Sequence, residues 1–259
     1  SAASDVYKRQ AYYHISTSRD PYYNIALEDY LYRQLRSLDT IYFLWINSPS
    51  VFMGRYQHPE AELDVEYLRS RGIALLRRTS GGGTVYHDEG NLNFSVIKNG
   101  EASKGFDLAA CPLPIQTALA KKGVEVVRSP RGDLRLNGFK VGGSAEAMTR
   151  GRLLYHICLL FDTDLDELER ILTVAPDITA RSRVASVRSK VTNLCPTLPE
   201  GYTIIDLQTL ILDELKEVED DLTPLVLGEE IEEYIKLKRA EHFEHLDWIH
   251  SPIGKAKGS

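Results

Sequence analysis

No stretch of this chain approaches the ~20 consecutive apolar residues that span a bilayer, and its first residues lack the basic-then-apolar pattern of a secretory leader. Cysteine is scarce. Cys111, Cys158 and Cys195 have no paired spacing, which speaks against a disulfide framework and suits a reducing compartment. Positive charge is not in excess either: the net charge of −6 argues against a general nucleic-acid binder. Repeats and low-complexity segments are also missing. What remains is an ordinary globular composition, 43% hydrophobic and 26% charged, in a chain of 259 residues that can bury a full core. The expectation is a cytoplasmic enzyme with no membrane or nucleic-acid partner, built as one large domain or one domain plus a small appendage. Residues 1–10 and 253–259 are expected to be tails around a domain at 11–252.

The most distinctive stretch present is RRTSGGGTVYHDEGNLNF, Arg77 to Phe94. Glycine has no Cβ, so Gly81, Gly82 and Gly83 let the backbone reach positive φ and approach a ligand closely. Such a loop can offer N–H groups to a phosphate or carboxylate, with the fixed charges of Arg77 and Arg78 beside it. No Gly-Lys-Ser/Thr follows, so it is not a P-loop, and the β-branched and aromatic residues after it exclude the dinucleotide fingerprint. Charge supports a binding role. Arginine and lysine concentrate between Arg69 and Lys190, whereas Asp213 to Asp247 is mainly acidic, a distribution that fits an anionic ligand or an acidic partner.

Pattern along the chain predicts mixed structure. Ala11 to Ser18 reads as a strand. Asp20-Pro21 opens a helix whose apolar face repeats at Tyr23, Ala26, Leu27, Tyr30 and Leu31. Thr40 to Ile46 and Ser50 to Gly54 read as a hairpin around Asn47-Ser48-Pro49, and Ala61 to Arg71 as a helix closed by Gly72. Strands at Ile73 to Leu76, Thr84 to Tyr86 and Leu92 to Ile97 flank the glycine loop. Phe106 to Lys122 is helical, with its start pushed toward Pro112 and Pro114. Val124 to Val127, Leu134 to Leu136, Phe139 to Val141 and Leu153 to Phe161 are strands, with a tight turn at Asn137-Gly138. Helices follow from Asp164 to Leu172, Thr203 to Leu222 and Glu229 to Leu246, while Arg181 to Asn193 reads as a loop. Without regular βαβ alternation, the fold class is α+β, a mixed and mostly antiparallel sheet flanked by helices.

SGGGTVYHDEGNLNF resembles the signature of the lipoate–protein ligase family, within the larger biotin/lipoate ligase group. Further blocks agree in order: DPYYNIALEDYL (Asp20 to Leu31), SPSVFMGRYQHPEAE (Ser48 to Glu62), DLRLNGFKVGGSA (Asp133 to Ala145) and SVRSKVTNL (Ser186 to Leu194). The resemblance spans about residues 12 to 252. It implies a biotin/lipoate ligase-like catalytic domain that activates lipoate with ATP and Mg²⁺ to lipoyl-AMP, then passes the lipoyl group to an acceptor lysine. The acceptors implied are lipoyl domains of 2-oxoacid dehydrogenase acyltransferase subunits and the glycine-cleavage H protein. Asp247-Trp248 resembles the end of the family's large domain, so a separate C-terminal accessory domain protein is a further expected partner. The rival readings are a lipoyl or octanoyl transferase fed with lipoyl-AMP or octanoyl-carrier protein, and a non-catalytic lipoate-binding module.

Lys140 matches the family lysine that contacts both the lipoate carboxylate and the nucleotide phosphate. An ammonium there offsets the repulsion of two reacting anions. The resemblance carries Arg78, Gly81, Gly82, Gly83, Thr84, Val85 and Tyr86 into binding of ATP and lipoyl-AMP, and Gly143, Ser144, Ala145 and His87 into binding of lipoate. Arg77 shares the phosphate role or pairs with a core acid; Asp133 holds Mg²⁺ or the hairpin turn. His87 reads as a hydrogen-bonding scaffold that cannot form a dyad with Asp88, because neighbours in a strand face opposite ways. His156 reads as a core or pocket-wall residue, within His156-Ile157-Cys158 where the family usually has His-Gly-Thr. Tyr56 and His58 stand where asparagines are common. Cys111 and Cys158 read as buried fillers, and His242, His245 and His250 as something other than a metal cluster. Leu76, Val85, Phe94 and Ala145 are the expected walls of an apolar acyl tunnel.

Overall fold

Asp20 starts the first helix as its sequence requires: its carboxylate accepts from the backbone N–H of Tyr22 and Tyr23, and Pro21 occupies the first turn. In the computed structural model, which describes residues 10–100, 105–172 and 189–250, this helix α1 (Pro21–Arg33) packs Ala26, Leu27 and Leu31 fully out of solvent. Before it lies strand β1 (Ala11–Ile15); after it come β2 (Thr40–Ile46) and β3 (Ser50–Met53). These last two do not form the expected hairpin. β2 sits inside an eight-stranded sheet and β3 at the centre of a separate three-stranded one. The link between them is anchored sideways, with Ser48 N–H bonded to Arg19 O and Asn47 bonded to Asn24, and it carries the chain from one sheet to the other.

The helix expected at Ala61 to Arg71 is two short ones, α2 (Pro59–Glu62) and α3 (Val65–Arg71), because Leu63 is extended and Asp64 caps the second through Tyr67 N–H. β4 (Ala74–Arg77) then runs parallel to β3, and β5 (Val85–His87) antiparallel to it. The glycine loop therefore crosses over β3 rather than closing a hairpin.

The large sheet continues with β6 (Asn91–Asn99), β7 (Val127–Arg128), β8 (Leu134–Leu136), β9 (Phe139–Thr149) and β10 (Arg152–Leu160). Asn137 and Gly138 turn between β8 and β9 with positive φ, as an Asn-Gly pair favours. β9 is much longer than Phe139 to Val141, so Gly142 to Ala145 are strand residues. β11 (Leu222–Pro224) adds parallel to β1, at a place the pattern had assigned to the end of a helix. The order is β11-β1-β2-β6-β10-β9-β8-β7, with antiparallel pairing everywhere except β11-β1-β2. This is the mostly antiparallel α+β architecture expected.

Period-two alternation sends Leu92, Phe94 and Val96 of β6 to one face of the sheet. There they meet Tyr155, Ile157 and Leu159 of β10 and the helices α4 (Leu113–Ala120) and α6 (Ile204–Val218) in one apolar core. α4 is shorter than Phe106 to Lys122, starting at the prolines. α6 opens with a Thr203/Asp206 capping box and stops at Val218. The other face packs Phe43, Trp45 and Leu154 against α1 and α7 (Glu230–Lys238). α5 (Leu165–Ile171), capped by Asp164, and α8 (Leu246–His250) cover the small sheet. A π-turn at Arg239–Phe243 follows α7, so the helix expected from Glu229 to Leu246 is interrupted. Of Arg181 to Asn193, the part up to Arg188 lies outside the described residues. Lys190 and Thr192 bond the backbone of Lys140 on either side.

Candidate active site

Between the α1 face of the large sheet and the glycine loop lies a cavity of about 320 Å³. Its floor is read from the strand register. Gly143, Cys158, Asn93 and Trp45 stand side by side across β9, β10, β6 and β2, with Ala145, His156, Ser95 and Phe43 as the next row. Its roof is Gly82, Gly83, Thr84 and Val85, and Ile25 and Glu28 of α1 close one side. Lys140, Asp133, Arg131 and Ser189 stand at the mouth, where the Lys140 side chain keeps 24% exposure. Trp45, Phe52, His87 and Asn93 at the far end are buried. The site is thus a pocket with a charged opening and a buried end where two aromatic side chains meet two polar ones.

The glycine loop is held by Arg78 and by the segment after β3. Arg78 Nη2 donates to the carbonyls of Gly81 (2.6 Å) and Gly83 (2.7 Å), Nη1 to Phe52 O and Nε to Ser80 Oγ. Burial pulls its pKa down to about 10, still charged at neutral pH. Gly82 has a φ of 88°, and a Cβ there would press on Arg78 Nη2 at 3.0 Å. Gly54 is needed for another reason: its missing Cβ makes room for the Gly82 carbonyl. Arg55 N–H bonds Ser80 O (2.9 Å), and Gln57 Oε1 accepts from Gly54 N–H and from Thr84 Oγ1. GRYQ and TSGGGT, separate blocks in sequence, make one built loop.

Arg77 points the other way and does neither of the jobs expected of it. It is fully buried, its Nη1 donating to Gly54 O and Arg55 O, its Nε to Trp248 O and its Nη2 to Ile249 O; Trp248 Nε1 returns a bond to Arg77 O. It fastens α8 to the small sheet.

At the mouth, Lys140 Nζ pairs with Asp133 Oδ1 at 2.9 Å, and Arg135 Nη2 reaches Asp133 Oδ2 at 3.4 Å. Asp133 in this state positions the lysine. No group of three metal-ligating side chains occurs among the described residues. Asp133 can supply a single oxygen to a cation, which fits Mg²⁺ carried mainly by nucleotide phosphates and does not fit a protein-made cage. His242 is stacked on Trp248 with ring centroids 4.0 Å apart, and His250 lies near Glu60.

Deeper in, a chain of hydrogen bonds crosses the pocket wall. Arg78 Nε donates to Ser80 Oγ, which lies 2.7 Å from His156 Nε2, and His156 Nδ1 lies 3.1 Å from Glu28 Oε1. Glu28 Oε1 also accepts from Ser95 Oγ at 2.6 Å. This network ties α1 and β10 to the start of the glycine loop.

Of the residues singled out from sequence, the cavity gathers Lys140, Arg78, Gly82, Gly83, Thr84, Val85, His87, Asp133, Gly143, Ser144 and Ala145. Gly81 and Tyr86 do not line it; the Tyr86 ring packs into the core of the small sheet. Of the four residues expected to wall an acyl tunnel, Val85 and Ala145 line the cavity, whereas Leu76 and Phe94 lie in the cores. Phe94 fails by one residue of register: Asn93 faces the cavity. Cys158 is no filler, since it lines the cavity with its thiol donating to Gly143 O at 3.4 Å, whereas Cys111 is buried and burial pushes its thiol up to about 11. Sequence reasoning missed Glu28 and Trp45, and it gave Asn93 no role of its own beyond a place in the polar run after the glycine loop. The available signal was polar residues at alternate positions of an apolar strand, Asn91, Asn93 and Ser95.

The family described as lipoyl protein ligase A/B catalytic domain matches residues 20–216. The chain belongs to this family. Lipoate-protein ligase LplJ of Bacillus subtilis is 32% identical over 231 residues, covering 88% of this chain and 70% of the relative. Lipoate–protein ligase 1 of Staphylococcus aureus is 33% identical over 193 residues, covering 74% of this chain and 59% of the relative. Among solved structures, a putative lipoate protein ligase from T. acidophilum with bound lipoic acid superposes with a TM-score of 0.75 at 23% identity, covering 94% of this chain and all of that one. Lipoate-protein ligase A bound with ATP gives 0.74 at 24%, covering 95% of this chain and all of that one. At those identities the two structures show the fold that this family member shares. Among its described residues, no helix is long and apolar enough to cross a membrane.

Proposed function

We propose that this chain is an ATP-dependent lipoate–protein ligase of the cytoplasm, with residues 11–252 as its catalytic unit. It activates lipoate as lipoyl-AMP and transfers the lipoyl group to a lysine of lipoyl domains of 2-oxoacid dehydrogenases or of the glycine-cleavage H protein. The observation that carries this reading is the pocket itself: a cavity of about 320 Å³ lined by Trp45 and Phe52 and bordered by Lys140 and a loop of glycines. Support comes from relatives named lipoate–protein ligases, from the neighbours bound to lipoic acid and to ATP, and from a T. acidophilum neighbour studied with its E2 lipoyl domain.

In the first step two anions, the acid's carboxylate and the α-phosphate, must approach. Lys140 Nζ, which lines the cavity, would bind both and stabilise the charge that develops on the phosphorus oxygens. The N–H groups of Gly82, Gly83 and Thr84 add neutral donors, in a loop whose shape Arg78 maintains. Asp133 would hold Mg²⁺ arriving with the nucleotide, and the ion would supply neutralisation of phosphate charge. In the second step the acceptor amine displaces AMP, and Lys140 again stabilises the leaving phosphate.

The test is intact-mass spectrometry of a purified lipoyl domain incubated with this protein, lipoate and Mg²⁺-ATP, with parallel arms given lipoyl-AMP or octanoyl-carrier protein. A lipoyl mass gain with ATP supports a ligase. Gain only with lipoyl-AMP means that activation needs a further unit; gain only with the carrier makes the protein a transferase and overturns the reading. Lys140→Ala is expected to abolish the ATP-driven gain while leaving the circular-dichroism spectrum unchanged.

A further inference from the structure

Two nitrogens in residues that line the cavity have no partner. His87 Nε2 and Asn93 Nδ2 are buried without a hydrogen bond, and each residue is only 3% exposed. Buried donors are nearly always paired, so an orphan on a cavity wall points to something that enters the cavity. The tautomer of His87 follows from its neighbours. Asn24 Nδ2 donates to the carbonyls of Ser18 and Ile46, and also to Asn47 Oδ1, which leaves Asn47 Nδ2 to donate to His87 Nδ1 at 3.2 Å. The proton of His87 is therefore on Nε2. Burial, with Arg78 and His156 nearby, holds its pKa at about 3, so the ring is a neutral donor at any working pH.

Position relative to Lys140 gives the orphans their meaning. Lys140 Nζ lies 2.9 Å from where a Cβ on Gly143 would stand, which places the charge at the β9 end of the floor row. Asn93 is two strands further along that row, roughly 10 Å away at a strand spacing of about 4.8 Å. The His87 ring lies against Trp45 and Phe52, at centroid distances of 5.8 and 4.6 Å. A medium-length acid with its carboxylate at Lys140, laid across the strands, ends among these groups. A plain alkyl end would strip water from both N–H groups and give nothing back, whereas sulfur is a weak acceptor and polarisable.

We infer that His87 and Asn93 form an acceptor-reading subsite at the closed end of the cavity, selecting acyl chains that end in a hydrogen-bond-accepting group such as a cyclic disulfide over alkyl chains of the same length. The inference deepens the lipoate reading above and rests on it. Calorimetric titration of the wild-type protein with lipoate, octanoate and ω-hydroxyoctanoate tests it without any variant. Lipoate and the hydroxy acid are expected to bind about tenfold more tightly than octanoate. Asn93→Leu and His87→Phe are each expected to narrow that gap, mainly by improving octanoate. Equal affinities in the wild type, or variants that weaken all three acids alike, would overturn the subsite. Failure of the ligase reading looks different: no acid is joined to a lipoyl domain in any arm, whatever the binding preference.

Discussion

His87→Gln isolates the energetic consequence of burying a titratable ring. Glutamine is close in reach, can accept from Asn47 through Oε1 and does not titrate. In the unfolded chain His87 takes up a proton near its ordinary value of 6.5; in the folded protein it does so only near 3. Between those values the unfolded state binds more protons than the native state, so the contribution is fully present above about pH 6.5 and is lost as pH falls toward 3. From pH 7 to pH 4.5 the wild type should lose about 2–3 kcal/mol that the variant keeps, at about 1.4 kcal/mol per pH unit below 6.5. His242, lowered to about 4, adds acid sensitivity of the same sign, and the raised Asp88 acts oppositely, but both are present in each protein and cancel in the difference. The assay is urea unfolding followed by far-ultraviolet circular dichroism at pH 7, 6, 5 and 4.5. The variant's disadvantage at pH 7 should shrink or reverse as pH falls, a relative midpoint change on the order of 1 M. Parallel midpoints for the two proteins across that range would refute the reasoning, because a ring that is protonated or solvated in the native state gives no such divergence.

Other perturbations separate stability from chemistry. Gly54→Ala drives a methyl group into the Gly82 carbonyl and should cut adenylate formation at least tenfold through the loop's shape, read as pyrophosphate release. Asp133→Asn removes the ion partner of Lys140; the pair is partly exposed, so the unfolding free energy should change by less than about 1 kcal/mol while turnover falls about tenfold. Arg77→Gln leaves buried carbonyls of the Gly54 segment and of α8 without donors, and a loss of about 3 kcal/mol or more is expected in chemical denaturation.

Local rules read well wherever one short segment decides the outcome. Asp20-Pro21, Asp164 and the Thr203/Asp206 box start helices because each side chain satisfies its own helix's N–H groups, and Asn137-Gly138 turns because its two residues accept positive φ. Partners distant in sequence were not legible. Nothing near Asn47-Ser48-Pro49 says that β3 will leave the large sheet, since the anchors are Arg19 and Asn24. Leu222 to Pro224 is too short to announce a strand without β1 beside it. The same limit applies in the site. Most of the site residues from the quoted blocks converge on one cavity, but which of Asn93 and Phe94 faces it, and that Cys158 does, required the register of β6 against β10. Arg77 and Arg78 look like a pair of equivalent charges, yet strand alternation gives them opposite faces and unrelated tasks.

That alternation also makes the protein a two-channel optical instrument. The chain has two tryptophans, and they report on the two sides of the Arg77-Arg78 divide: Trp45 lines the closed end of the cavity, and Trp248 is fastened to Arg77 beneath a histidine ring. Emission from a Trp248→Phe protein should follow acyl ligands entering and leaving. Emission from a Trp45→Phe protein should stay silent to them and brighten or shift only when α8 lifts from the small sheet.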